Sequence, residues 1–279
     1  MLTCAHCHPR DLLERFPRAE EERRLLGAAC AASATGEGEF AVHEEMARDA
    51  ARTGGPPVLL CFAVHPQLPR HAGAVRPGPA EGAGDLRSTL ETLHTLTAAG
   101  RLDAVGETGF DLYDAAYRET EAVQESLFAV HVEAALRHDL PLVLHVRRGM
   151  HKIFAHAKTL RRCRALIFHS WPGTLGEGEA LLRRGINAFF SFGAALCCNH
   201  REAGRCCALF PPDRLLTETD APWQPLRGRR WSDWGDLPAI LREAAALRRE
   251  AGSPCGDPAE LEKTVEENFR RALMPDAAG

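Results

Sequence analysis

Six side chains of the types that bind divalent metal ions, His6, His8, Glu107, His145, His169 and Asp220, each close or follow a short β-like run. Imidazole and carboxylate sets suit Zn, Mn and Co, and bind Mg more weakly. The central run is Ala104-Val105-Gly106-Glu107-Thr108-Gly109-Phe110-Asp111, in which an apolar stretch stops on a carboxylate held between two glycines. A charge ending a buried strand needs a partner, and convergence on metal supplies one. Together these ligands serve two divalent ions if one carboxylate bridges. Glu107 is the natural bridge, leaving His6, His8 and Asp220 for one ion and His145 and His169 for the other. Two ions ~3.5 to 4 Å apart stabilise both the attacking and the leaving oxygen of a phosphoryl displacement. The expected chemistry is hydrolysis by metal-activated water, with Glu107 and Asp220 as its catalytic carboxylates.

Positioning six ligands at strand ends requires many strands that end on one side. Leu2 to Cys7 reads as a strand whose period of two puts His6 and His8 on one face and Cys7 on the other. Leu25 to Ala32 is a run of mostly small residues suited to a buried strand, and Phe40 to Thr53 has helical spacing. Val58 to Val64 is a continuous apolar run ending at His65-Pro66, as in a parallel strand buried on both faces. Gln67 to Gly84, rich in Pro and Gly, is expected as a loop, with a helix over Leu86 to Ala99 before the Glu107 strand. Apolar steps at Val123, Leu127, Val130 and Ala134 mark the next helix. Strands follow at Pro141 to Arg147, Ala165 to His169, Asn187 to Phe192 and Arg214 to Asp220, the last placing Glu218 and Asp220 on one face. Asp257-Pro258-Ala259-Glu260 opens a final helix that buries Leu261, Val265, Phe269 and Leu273. Eight alternations of strand and helix favour an α/β fold of the (β/α)8 barrel type, whose active sites lie at strand carboxyl ends. An open doubly wound sheet stays possible, but its glycine-rich loop after the first strand is replaced by His6-Cys7-His8-Pro9. No linker divides residues 1–279, so one domain is expected.

With 279 residues, 45% of them hydrophobic and 26% charged, the chain can bury a sizeable core. A net charge of −4 denies it a global attraction to nucleic acid, so any such binding must come from a local basic patch or from metals. Ten cysteines without a framework of short spacings read as free thiols of a cytoplasmic protein. No apolar run reaches the ~18 to 20 residues of a membrane span, and nothing demands an obligate protein partner. His43, His94, His131, His138, His151 and His156 lie at positions with no expected catalytic role.

The set H-x-H near the amino end, V-G-E-x-G-x-D, L-H-x-R, H-x-x-x-G and L-x-E-T-D-A-P, in that order, resembles the TatD family of metal-dependent deoxyribonucleases. Glu267-Asn268-Phe269 looks like its closing motif, so the resemblance covers nearly the whole chain. It implies a barrel, a nucleic acid substrate, and 3′-5′ exonuclease hydrolysis of phosphodiesters, expected on single-stranded DNA. It also implies metal roles for the six ligands, with His65 and Arg147 near the substrate phosphate. Departures fall close to the site: Cys4 stands where an aspartate is usual, Pro172 where a small hydroxyl residue is usual, and Leu112 where an aromatic is common. Rival functions are an amidohydrolase of small esters, amides or lactones and a non-catalytic relative that retains its metals. Glu218 is expected to orient a metal histidine. Trp171 and Trp223 either stack on bases or wall the pocket. Arg147, Arg148, Arg227, Arg229 and Arg230 are candidates for phosphate contacts, and the pairs Cys197-Cys198 and Cys206-Cys207 are expected as core thiols on a helix.

Overall fold

A computed structural model describes residues 1–71 and 86–274. Eight parallel strands run in sequence order: β1 (Thr3–Cys7), β2 (Ala29–Ala34), β3 (Val58–Phe62), β4 (Ala104–Asp111), β5 (Leu142–Arg147), β6 (Leu166–Phe168), β7 (Ala188–Phe192) and β8 (Leu215–Thr217). Helices alternate with them. The sheet closes on itself at β8 and β1, where the Asp220 N–H donates to the His6 carbonyl at 3.1 Å and the His8 N–H to the Ala221 carbonyl at 2.8 Å. Below that, the Thr217 hydroxyl donates to the Thr3 carbonyl at 2.9 Å. The expected α/β barrel is therefore the observed architecture.

Small residues fill the barrel on the β1–β2 side, with Ala5, Ala29 and Ala31, and larger ones fill it opposite, with Val143, Ile167 and Phe189. Phe269, Ala272 and Leu273 join this interior cluster from the helix Pro258–Leu273. That helix starts as its sequence predicts: Pro258 stands in its first turn and the Asp257 side chain accepts from the backbone N–H groups of Ala259 and Glu260. Asn268 fixes it to β8 by donating to the Pro212 and Leu215 carbonyls.

Three sequence expectations are corrected. Leu25 and Leu26 end a helix, Ala19–Leu26, and the strand begins only at Ala29. Acidic residues in the first turn, Arg23 and Arg24 in the last, and Gly27 in the left-handed conformation make that segment helical, and Leu25 is left 80% exposed. The buried face of helix Glu121–His138 centres on Phe128 and His131, whereas Val123 and Val130 lie only partly buried at its edge. Cys197 and Cys198 occupy a short 3-10 turn, with Cys198 exposed, while Cys206 and Cys207 are buried on helix Arg201–Leu209. Of the Gln67 to Gly84 loop, Leu68–His71 form a helical turn and the remainder from residue 72 lies outside the described residues.

Register decides what reaches the centre. In β1 the pairing shifts between Cys4 and Cys7, and in β4 between Gly106 and Thr108. Ala5 and Ala104 belong to the interior cluster, so strict alternation would turn His6 outward and leave Glu107 on the far face as well. The extra residue at each shift restores both side chains to the barrel axis. Glycines on both sides of Glu107 permit the close approach of β5: a Cβ at Gly106 would fall 2.5 Å from the Val143 Cβ, and one at Gly109 would fall 2.1 Å from the His145 carbonyl oxygen.

Candidate metal centre and active-site cleft

At the carboxyl ends of the strands, Glu107 is almost fully buried and ringed by imidazoles. Its Oε1 lies 2.6 Å from His145 Nδ1, 2.9 Å from His169 Nε2 and 3.3 Å from His65 Nε2. Its Oε2 lies 3.2 Å from His6 Nε2 and 3.6 Å from His8 Nε2. Asp220 faces the same two histidines, 3.4 Å from His6 Nε2 and 3.7 Å from His8 Nε2. Every one of the six ligand candidates read from the sequence is thus in one cluster. Among the described residues three triads have donor atoms close enough together to hold an ion: His6, His8 and Asp220; His6, Glu107 and His169; and His65, Glu107 and His145.

Each histidine that turns one nitrogen to Glu107 has a polar group near the other, hydrogen-bonded for His6, His65 and His145 and only in ion-pair range for His8 and His169. His6 Nδ1 is 3.1 Å from the Ser33 hydroxyl, His8 Nδ1 is 3.6 Å from Glu39, His145 Nε2 is 3.2 Å from Asp111, and His169 Nδ1 is 3.5 Å from Glu218. Such outer contacts fix ring orientation and raise ligand basicity. Glu218 is itself held by the Ser170 N–H at 2.7 Å and the Ser170 hydroxyl at 2.6 Å. Gln224 donates to Ser170 Oγ and to Asp220 Oδ2, tying the two carboxylates to one loop. Residues 33, 39, 67, 111 and 224 were not singled out by the sequence reading as part of the site, although Asp111 closes the same motif as Glu107.

Burial opposes charge at Glu107, Asp220, His8, His145 and His169, yet mutual attraction wins at each. For Glu107 the surrounding His65, His169 and His6 hold the carboxyl well below its usual range despite the cost of burial. Burial likewise resists protonation of His8 and His169, but contacts with Glu107, together with Glu39 for His8 and Glu218 for His169, push both well above the ordinary imidazole value. His65 departs from this pattern, since burial dominates and lowers it. The Gln67 N–H donates to His65 Nδ1 at 3.2 Å, so the ring proton sits on Nε2, facing Glu107.

A donor set of this kind fits a divalent ion. His6 Nε2 is buried without a hydrogen-bond partner, between the carboxylates of Glu107 and Asp220, as a metal-ligand nitrogen would be. The cluster opens into a cleft of about 870 Å³ lined by His65, Arg147, Trp171, Trp223 and most of the ligand candidates. Trp171 is only 5% exposed and packs edge-on against Phe168, Phe190 and Phe210, so it walls the cleft. Trp223 is 52% exposed, with Arg15 lying 4.9 Å from its ring centre. Arg229 is engaged by Asp233 and Asp236, away from the cleft lining. Cys4 does not reach the cluster: its thiol contacts the His6 carbonyl and Thr219, knitting β1 to the chain after β8.

The comparisons agree with this geometry. Residues 4–274 match the TatD related DNase family. A curated relative, the 3′-5′ ssDNA/RNA exonuclease TatD of Erwinia tasmaniensis, is 30% identical over 219 residues, covering 74% of this chain and 79% of its own. The uncharacterized metal-dependent hydrolase YjjV of Escherichia coli K12 is 30% identical over 232 residues, covering 80% of each chain. The crystal structure of that TatD homolog superimposes with a TM-score of 0.75 at 23% identity, over 98% of this chain and 97% of its own. By family match and relatives together, this chain belongs to the TatD related DNases, metal-dependent hydrolases built on an eight-stranded α/β barrel.

Proposed function

We propose that this protein is a 3′-5′ exonuclease acting on single-stranded DNA, with Glu107 bridging two divalent ions. The observation that carries the reading is the ring of imidazoles around Glu107, with Asp220 facing two of them. His6, His8 and Asp220 would hold one ion and His145 and His169 the other; Ser33 and Asp111 hydrogen-bond the rings of His6 and His145, and Glu39 and Glu218 lie beside those of His8 and His169. Divalent ions held there would supply Lewis acidity and an activated water for hydrolysis of the phosphodiester. His65 serves as a donor in this reading: Gln67 occupies its Nδ1 lone pair, and the Nε2 N–H that faces Glu107 would be shared with a phosphate oxygen. Arg147, at the cleft wall, meets a phosphate, and Trp223 is the better placed of the two tryptophans to stack on a base. Glu218 orients His169 and holds the Ser170 loop.

The amidohydrolase alternative often relies on a bridging lysine. The chain has three lysines, Lys152, Lys158 and Lys263, and none lines the cleft, which favours the carboxylate bridge. Ten unpaired thiols suit the reducing cytoplasm, and no described helix is long and apolar enough to cross a membrane. The deciding experiment digests single-stranded DNA labelled at either end with Zn, Mn, Co or Mg present in turn. A ladder that shortens from the 3′ end is expected. Metal-independent cleavage, or shortening from the 5′ end alone, refutes the assignment.

A further inference from the structure

We propose that Tyr113, Arg147 and Arg148 form a strand-guiding subsite at the mouth of the cleft, which takes internucleotide phosphates away from the scissile bond. The proposal rests on the nuclease reading and adds the side from which the strand enters. Tyr113 follows β4 and is 44% exposed. Arg147 and Arg148 both cover its ring, with guanidinium carbons 3.8 Å and 4.7 Å from the ring centre. Consecutive strand residues ordinarily point to opposite faces. Here the backbone turns at Arg148, which has φ of 57°, and both side chains reach one aromatic ring. A left-handed conformation at a bulky residue is uncommon and calls for something that holds it.

The backbone beneath is pinned as well. Arg148 donates to the Tyr113 carbonyl at 3.0 Å, and Arg118 donates to the carbonyls of Leu112 at 3.2 Å and Tyr113 at 3.3 Å. Among the described residues neither Arg147 nor Arg148 forms an ion pair, whereas Arg137, Arg183 and Arg270 on exposed helix faces each pair with a glutamate. Two guanidiniums are therefore fixed side by side on a ring, each with donors to spare for phosphate. Arg147 lines the cleft and pairs in the sheet with Asp111, which touches His145, so the patch is continuous with the metal centre. The remaining cleft walls carry Asp11, Glu39 and Glu202, which repel a polyanion. With a net charge of −4, the chain needs such a local basic path, and the β4–β5 side supplies it.

The test compares wild type with Arg148→Gly and Tyr113→Leu. Glycine adopts the left-handed backbone without strain, so Arg148→Gly removes the guanidinium and keeps the fold. Fluorescence anisotropy with manganese present measures binding of phosphorothioate dodecanucleotide and dinucleotide single strands across salt concentrations, and turnover of bis(p-nitrophenyl) phosphate reports the metal centre. Expected are dodecanucleotide affinity about tenfold weaker in both variants and a log–log salt slope shallower by ~0.7 for each phosphate that the variant no longer neutralises. Dinucleotide binding and small-diester turnover stay as in wild type. Equal dodecanucleotide affinity in Arg148→Gly and wild type overturns the subsite, as does an equal loss on both strand lengths. If wild type binds the long strand but hydrolyses no phosphodiester with any metal, and Arg148→Gly still weakens binding selectively, the subsite stands and the nuclease reading falls.

Discussion

Glu107→Gln separates the charge of the proposed bridging carboxylate from its shape. The amide fills the same space, so the buried position meets no steric change. What is lost is one negative charge facing five imidazoles whose nearest nitrogens lie between 2.6 Å and 3.6 Å away. At an effective dielectric constant near 20, one unit charge pair about 4 Å apart is worth ~4 kcal/mol, so if Glu107 bridges two ions its loss would weaken each by at least that order before relaxation. Every ~1.4 kcal/mol is tenfold in an equilibrium constant, which makes ion occupancy at micromolar metal fall by orders of magnitude. Removing an electrostatic stabiliser of the transition state itself costs roughly a hundredfold or more. The expected result is exonuclease activity lower by several orders of magnitude, with metal content falling and binding of a single-stranded oligonucleotide preserved through Arg147 and the cleft walls. Metal content by mass spectrometry and exonuclease rate on a 3′-labelled strand are measured on the same preparation. Two retained ions with a near-normal rate would show that Glu107 is not the bridge, and the assignment of both ions would have to be withdrawn.

Three further outcomes follow from the same geometry. Chelation is expected to abolish hydrolysis while leaving circular dichroism near native, because Ala5, Ala31, Val143, Ile167 and Phe189 pack the barrel below the site; global unfolding on mild chelation would make the metals structural. Asp111→Asn replaces the acceptor facing His145 Nε2 with an amide, and metal affinity measured by titration calorimetry should fall about 10- to 100-fold, whereas unchanged affinity would reduce Asp111 to strand packing. The third concerns His131, where burial holds the imidazole down at about 3 from its ordinary 6.5. Its Nε2 accepts from the Val64 N–H at 3.1 Å, and its Nδ1 lies 2.6 Å from the Thr108 hydroxyl, so the neutral ring is the one the fold uses. A depressed folded value means that the unfolded chain binds the extra proton first. The contribution to stability is therefore complete above the unfolded value and is lost as pH falls from 6.5 towards 3. Between neutral pH and pH ~5 the loss is about 2 kcal/mol, and His131→Gln should remove that part of the acid slope in urea titrations. The difference between the two proteins is the readout, since the site histidines titrate in both; equal slopes would place the acid sensitivity elsewhere.

The architecture was legible because its signals are repeated and local. Apolar runs ending at His65, His145 and His169 recur with helical segments between them, and parallel strands buried on both faces leave that pattern in any order of reading. Leu25 and Leu26 misled because two leucines before a run of alanines look alike whether they end a helix or open a strand. The deciding features were the charge order along the preceding turns and the left-handed Gly27. For Trp171 the sequence leaves stacking on a base and walling the pocket both open, and the structure shows the wall. The tryptophan's position after a ligand strand is visible in the chain, but the aromatic wall of Phe168, Phe190 and Phe210 that takes up its ring comes partly from other elements.

The residues that hold the ligands were the hardest to read, and the reason is physical. A metal histidine announces itself by a costly position at the end of an apolar run, whereas its partner has only to bring one oxygen near the ring's far side. Ser33 and Glu39 reach β1 from the neighbouring strand and the start of helix Glu37–Thr53, and Gln67 reaches Asp111 from the segment after β3. Ordinary polar residues in ordinary places do this work, so no local pattern marks them. The register shifts add a second layer. Counting by twos from Ala5 or Ala104 turns His6 and Glu107 away from the axis, and only the extra residue in each pairing returns them. The two shifts fall on the two strands that carry His6 and Glu107, with His8 just beyond the first. The barrel can thus keep a close-packed interior up to the level of Ala5 and Ala104, and a step further along the same strands gather a carboxylate and imidazoles at the axis. Ligand identity was written in composition, but the step from core to site was written in the pairing of strands, which becomes visible only once β1 meets β2 and β4 meets β5.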